Sequence, residues 1–385
     1  MADAAHPPAG RATQNGPARM YGWLNRLVAS PGFQRLCTRV PGLSLLARRE
    51  GAALFGVMQG FVESQALMAL VELGVLARVA HAPATAQGLA HTLNIPADRL
   101  QVLLQAGAAM RLLTRRKTGQ FALSPRGAAF LSMPALPALV RHHRVLYADL
   151  ADPTAFFRGE TQPELAQFWP YVFGPGAQID PDATARYSEL MAESQALVTQ
   201  DALATLSFKG VQSLLDVGGG TGVFLRALHA REPRLQLALF DLPDVVAQST
   251  LPQAIARHGG SFRTDALPKG ADMITLIRVL FDHADSTVLT LLQRCYHALP
   301  PGGRLAIVEP MSGGATPDPH TDVYFSIYTL AMQTGRTRSA DEIAAQLGQC
   351  DFAEIKAKTP LCDQRDRSTK APQPSLAPSC CVNYY

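Results

Sequence analysis

Apolar residues recur at three- and four-residue spacing through the first half of the chain, and beyond about residue 207 they gather into short runs separated by helical stretches. "WLNRLVASPGFQRLCTRVPGLSLLARRE" has the helical spacing but is cut by Pro31 and Pro41, so short helices are expected there, ending at Arg48 and Arg49. Residues 1–20, rich in Ala, Pro and Gly without periodicity, read as disordered. "GAALFGVMQGFVESQALMALVELGVL" is interrupted by Gln59, Glu63, Gln65 and Glu72, and reads as a buried amphipathic helix and not as a membrane span. Thr85 can cap one further helix, Pro96 and Asp98 can open a second, and two short strands are expected around Lys117–Gly119. Together these make a winged helix. "VQSLLDV", "LQLALFDL", "ADMITLIRV" and "GGRLAIVE" then read as parallel strands of a Rossmann-like α/β sheet. The expected organisation is a short helical extension over 1–50, a winged-helix dimerisation region with substrate-pocket helices over 51–205, an α/β domain over 206–360 and an atypical tail over 361–385.

At 385 residues the chain can hold two cores, and 47% hydrophobic against 17% charged residues supports packing them. A net charge of +4 is too small to imply nucleic acid. Arg111, Arg115, Arg116 and Lys117 would suit phosphates, but the second helix of the winged pair offers only Asp98, Arg99, Gln101 and Gln105 for base edges. No nucleic-acid partner is expected, and this apolar helical domain suits a homodimer interface better. The six cysteines, at 37, 295, 350, 362, 380 and 381, lack metal-ligand spacing, so they read as free thiols and no metal site is expected. The N-terminal stretch has no secretory pattern, which points to the cytoplasm. Its basic, apolar start either packs on the protein's own body or touches an anionic membrane surface.

The candidate chemistry lies in "LLDVGGGTGVFL", where Asp216, Gly218, Gly220 and Gly222 give D-x-G-x-G-x-G behind a strand. A dinucleotide fingerprint would need glycine where Val223 stands, and a phosphate loop would need a Gly-Lys-Ser/Thr ending that is missing. Asp241, 19 residues beyond Gly222, can take two ribose hydroxyls, while Asp216 would meet a cationic amine. This combination fits S-adenosylmethionine, which carries a ribose and an amino acid but no phosphate for the acids to repel.

These residues, with "FDLPDVV", "FRTDALP", "LIRVLFDHAD", "LPPGGRLAIVEP" and "GRTRSADEIAAQLGQCDF", resemble the class I small-molecule O-methyltransferases that carry an N-terminal winged-helix dimerisation domain. The resemblance covers roughly residues 50–360. The wording "ELAQFWPYVFG", "ARYSELMAESQALV" and "RVLFDH" looks most like the branch, found in purple photosynthetic bacteria, that methylates the tertiary hydroxyl of acyclic hydroxycarotenoids. It implies carotenoid biosynthesis, a hydrophobic hydroxylated small-molecule substrate, and a cytoplasmic protein at the periphery of the photosynthetic membrane. It further implies that Gly218 and its neighbours face the methionine part of the cofactor, Asp241 the ribose and Asp265 the adenine. Two readings stand beside it: a methyltransferase of aromatic polyketides or phenols, and a winged-helix DNA-binding regulator that senses the cofactor.

The sequence departs from that family at the catalytic base. Phe281 stands where relatives carry a histidine, and Thr337 stands before Arg338 where an acid often precedes the late "RT" pair. Glu309 matches an acid that orients the base. Either His283 serves as a relay paired with Asp282 or Glu309, or the pocket works by proximity and desolvation alone. His142, His143 and His320 are weaker candidates, read as surface or core residues. The aromatic stretches "FWPYVFG" and "TDVYFSIYTLAMQ" suggest an apolar tunnel. The tail beyond Leu361 lacks the final apolar strand such a sheet needs, and a reading-frame shift there would explain its composition.

Overall fold

The computed structural model describes residues 22–168, 195, 198–358 and the strand Cys380–Tyr384. The expected disorder over 1–20 lies outside the described residues, as does most of "FWPYVFG". The chain opens with α1 (Trp23–Val28), α2 (Pro31–Arg39) and α3 (Pro41–Glu72). Pro31 and Pro41 separate these helices because each occupies a first-turn position, where a missing amide breaks no bond.

Two expectations fail at α3. The helix does not stop at Arg48 and Arg49 but continues for 32 residues across position 50, since no further proline interrupts it. Nor is it buried as expected. Only Met68, Leu70 and Val71 are buried, whereas Leu54, Phe55, Val57, Met58, Phe61 and Val62 are exposed, Val57 to 82%. By length and composition α3 is apolar enough to cross a membrane, yet its last turns are built into a protein core.

That core belongs to the winged helix. It comprises α4 (Val75–His81), α5 (Ala86–Leu93), α6 (Ala97–Ala109) and the antiparallel β1 (Leu113–Arg115) and β2 (Phe121–Leu123). Thr85 caps α5 by accepting the Gly88 amide at 3.1 Å, and Asn94 turns the chain into α6 with φ 53°. Leu70, Leu76, Leu100, Leu104 and Phe121 meet in one cluster, each contributing about 1.5–3 kcal/mol by burial. α7 (Pro125–Ser132), α8 (Ala135–Asp149), α9 (Pro153–Phe157) and α10 (Leu165–Phe168) follow, and α11 occupies residues 198–205.

The second half is a doubly wound sheet of β3 (Ser213–Val217), β4 (Gln236–Asp241), β5 (Ala256–Gly259), β6 (Met273–Ile277), β7 (Arg304–Glu309), β8 (Ile355–Lys358) and β9 (Cys380–Tyr384). Their order is β5-β4-β3-β6-β7-β9-β8, with every pair parallel. β3, β6 and β7 are buried on both faces and therefore read as continuous apolar runs. β5, exposed along its length, carried no such signal. On one face Leu215, Ile274 and Leu276 pack on Leu291 and Leu292 of α14 (Asp285–Ala298) and on Ile343 and Leu347 of α16 (Ala340–Gln349). On the other, Leu214, Leu239 and Val308 meet Phe224, Leu225 and Leu228 of α12 (Val223–Arg231). The strand order reverses between β3 and β6, so the ligand crevice of such a sheet falls at their carboxyl ends.

The tail is a further correction. Cys380–Tyr384 forms β9, lying between β7 and β8 in parallel register, with Ile307 opposite Val382 and Ala357 opposite the same residue. A strand that the composition of the tail does not advertise is thus held by two backbone ladders. Deleting residues 359–385 should detach β8 and bare the edge of β7. The expected result is a melting temperature lower by about 4 °C, the shift of roughly 1–2 kcal/mol in a cooperative unit of 150–250 residues such as the α/β half, read by circular dichroism.

Candidate functional site

The turn after β3 has the shape of a cradle. Gly218, Gly220 and Gly222 take φ of 72°, 59° and 85°, values that disfavour any side chain. A Cβ on Gly218 would lie 2.8 Å from Val279 Cγ2, whereas nothing lies within 4 Å of one built on Gly220. The turn is therefore packed below and open above. Asp241, ending β4, is tied to it: Oδ2 accepts the Gly220 amide at 2.8 Å and Oδ1 the Leu242 amide at 2.7 Å. Burial raises this carboxyl above its usual range while both amides pull it back. The second lone pair of each oxygen still suits a pair of ribose hydroxyls.

Asp216 is placed differently from the expected amine contact. Its carboxyl is 1% exposed, beneath the turn and against the space a Cβ on Gly219 would take. Oδ1 accepts the Thr275 hydroxyl at 2.6 Å, and Oδ2 has no hydrogen-bond partner among the described residues. Burial lifts its pKa to about 7 against the Thr275 bond, with Asp241 adding to the rise. A buried acid below the turn supports the bend and does not face an exposed amine. Asp265 is exposed in the loop after β5, where its Oδ2 accepts the Ser261 amide at 2.8 Å. Open space over Gly220 beside an acceptor-rich carboxylate fits a phosphate-free nucleoside.

Across the crevice, Arg278 leaves β6 with φ 57°, and Leu280–Asp282 form a 3-10 turn carrying Phe281. Glu309 holds this turn. Its Oε1 accepts the Val279 and Leu280 amides at 2.6 and 2.7 Å, and its Oε2 the Phe281 amide at 3.3 Å. Burial raises its pKa to about 7 although the three amides oppose the shift. Glu309 therefore fixes a loop and does not orient a base. Asp282 is also held well above the usual carboxylate range by burial, with Arg278 opposing and Glu309 reinforcing.

The relay expected at His283 is not formed. Its ring is buried edge-on to Phe262 at 5.2 Å, and Nδ1 lies 3.2 Å from the Arg263 guanidinium and not on Asp282 or Glu309. Burial, then Arg263 and Arg338, lower its pKa to about 3, too weak a base for a neutral-pH reaction. Arg338, 2% exposed, binds the Leu280 and His283 carbonyls at 2.9 and 2.8 Å and the Asp285 carboxylate at 2.7 Å. Gly335 packs against the same 281–283 backbone so closely that no Cβ fits. The "GRTRS" stretch is thus a clamp on the Phe281 loop. Thr337 shares hydrogen bonds with Ser312 and, at 3.0 Å, with Ser326, at the wall of a cleft of about 460 Å³.

Sequence reading missed a pair of contacts between α8 and the segment formed by the π-helical Pro319–Phe325 and α15 (Ser326–Met332). His142 Nε2 meets Tyr328 Oη, and His143 Nε2 meets Tyr324 Oη, each at 2.7 Å. Burial lowers both imidazoles, His142 to about 4 with help from His143. Tyr324 also lies edge-on to Phe325 at 5.1 Å, which faces Phe281 at 6.4 Å, while the Arg278 guanidinium stands 5.6 Å over the Phe281 ring. The adjacent histidines and the tyrosines four apart were visible signals; their meeting across more than 180 residues was not. His320 is exposed.

Comparison with known proteins agrees with this geometry. An O-methyltransferase domain matches residues 147–353 and an O-methyltransferase dimerisation domain matches residues 55–133. The chain is 54% identical over 362 residues to demethylspheroidene O-methyltransferase of Cereibacter sphaeroides, covering 92% of this chain and 95% of that protein. It is 50% identical over 335 residues to the protein of the same name from Rhodobacter capsulatus, covering 86% and 85%. Human N-acetylserotonin methyltransferase, solved with S-adenosylmethionine, shares the fold at TM-score 0.67 and 22% identity, over 79% of this chain and 92% of that one. With a glycine cradle and a ribose-ready acid on a parallel sheet, behind a winged-helix dimerisation domain, this chain belongs to the S-adenosylmethionine-dependent O-methyltransferase family.

Proposed function

We propose that this enzyme methylates the tertiary hydroxyl of an acyclic carotenoid of the demethylspheroidene type. The observation that carries the reading is identity at or above 50% along nearly the whole length of two proteins bearing that name. The apolar character around Phe281, Phe325 and Tyr324 supports it, because a polyene offers no polar group except the reacting hydroxyl. The phenolic-acceptor and DNA-sensing alternatives are not favoured.

The cofactor supplies an activated methyl group; the chain supplies position. Gly218, Gly220 and Gly222 leave room for its methionine part, Asp241 holds the ribose hydroxyls, and the loop around Asp265 borders the adenine. Glu309 and Arg338 keep the Phe281 loop rigid from opposite sides, so the acceptor oxygen is presented in line at an apolar wall. Two copies pair through the exposed apolar face of α3, whose residues from Phe55 onward fall within the dimerisation match. Helices α1 and α2 and the N-terminal part of α3 carry Arg26, Arg35, Arg39, Arg48 and Arg49 with no acid between Tyr21 and Arg49, which suits peripheral contact with an anionic membrane.

Three outcomes test this reading. Extracted demethylspheroidene, incubated with the protein and labelled S-adenosylmethionine in detergent, should gain one methyl group by mass, while simple phenols gain none. Asp241→Ala should weaken S-adenosylhomocysteine binding about 10- to 100-fold in calorimetry, the loss of roughly 1.5–3 kcal/mol of charge-assisted hydrogen bonding, with an unchanged circular dichroism spectrum. In flotation, the protein should rise with vesicles containing anionic phospholipid, and replacing the five arginines by glutamine should leave it at the bottom of the gradient.

A further inference from the structure

With Phe281 at the usual base position and His283 turned to Arg263, the acceptor's proton needs another destination. Two histidine–tyrosine pairs join α8 to the Pro319–Met332 segment, and they are not equivalent. His142 and Tyr328 are both buried, in the apolar cluster with Leu146 and Met332. His143 and Tyr324 are only half-buried, and Tyr324 adjoins Phe325, the ring against Phe281. Tyr324 stacks on Tyr328 at 5.9 Å, but of the two it is Tyr324 that also reaches, through Phe325, the ring of Phe281.

We infer that Tyr324 receives the proton of the acceptor hydroxyl and hands its own to His143, a two-residue relay that replaces the missing base. The inference rests on the O-methyltransferase reading above. The acceptor oxygen forms its bond to the methyl carbon as the carbon–sulfur bond breaks, and the bonding pair discharges the sulfonium. The hydroxyl proton moves to Tyr324 Oη while the phenolic proton moves to His143 Nε2, 2.7 Å away. The imidazolium left on half-buried His143 then loses its proton to solvent.

The chemistry of each group suits its part. A hydroxyl is both donor and acceptor, so Tyr324 passes a proton on without becoming an anion. Burial holds its phenol above the usual range against the pull of Arg278, which keeps it protonated between turnovers. Burial likewise lowers His143 below its ordinary value of 6.5, so its ring is neutral and able to accept at pH 7. A relay of this kind contributes at the level of general acid–base catalysis, about 10²–10⁴-fold.

The second pair provides the control. In the full-length protein assayed with demethylspheroidene in detergent, Tyr324→Phe should lower kcat about 100-fold while S-adenosylhomocysteine affinity and melting temperature stay within those of Tyr328→Phe. His143→Gln, which preserves a hydrogen bond but carries no proton, should lower kcat and abolish the acid limb of the pH–rate profile, which in the unaltered enzyme lies below pH 6.5. Independently of turnover, the His143 imidazole followed by NMR should titrate at higher pH in Tyr324→Phe, because the donor that favours the neutral ring is gone. Normal turnover in Tyr324→Phe, or an unshifted His143 titration, would overturn the relay. An unaltered enzyme that leaves the carotenoid untouched would instead overturn the acceptor reading, which the NMR result does not share.

Discussion

A buried carboxylate at the end of β7 governs the geometry of the crevice. Glu309 gathers three consecutive amides from the turn after β6, amides that would otherwise be stranded without partners where the strand ends. From the opposite side the buried Arg338 takes two carbonyls of the same turn. Donors and acceptors of one short loop are thus satisfied by one anion and one cation from different elements. Removing Glu309 would strand three buried amides, and removing Arg338 would strand two carbonyls and its ion pair with Asp285, which is the costly way to break such an arrangement. Everything facing the Phe281 side of the crevice inherits its position from this pair.

The glycine turn works by the opposite means. It uses no side chain at all on the ligand side, and its shape is kept by the amide of Gly220 on Asp241 and by Asp216 packed underneath. A rigid wall built from charges therefore confronts a cradle built from bare backbone. Between them the sheet's switch point leaves the room that an in-line transfer needs.

The sheet was legible because β3, β6 and β7 are buried on both faces and spell continuous apolar runs, and the winged helix because Thr85 opens one of its helices and Pro96 the next. The identity of the cofactor followed from the glycine turn and the acid ending the next strand, whereas the place of Asp216 beneath that turn did not. Nor did the acceptor side. Glu309 and His283 were the candidates the sequence offered, yet their bonds are set by Arg263 and by amides whose orientation depends on the folded turn. The fate of α3 was equally hidden, since a buried apolar helix and an exposed one share the same periodicity. β9 escaped because a strand held by ladders on both edges needs no apolar alternation to be recruited.

The guanidinium of Arg278 over the ring of Phe281 limits the chemistry that position 281 can host. An aromatic face welcomes a cation; an imidazole that must acquire positive charge does not. A histidine placed at position 281 would sit beneath a fixed positive charge and resist protonation, so that substitution alone would not supply a general base. The two positions are coupled, and a titrating base at 281 would require a change at Arg278 as well.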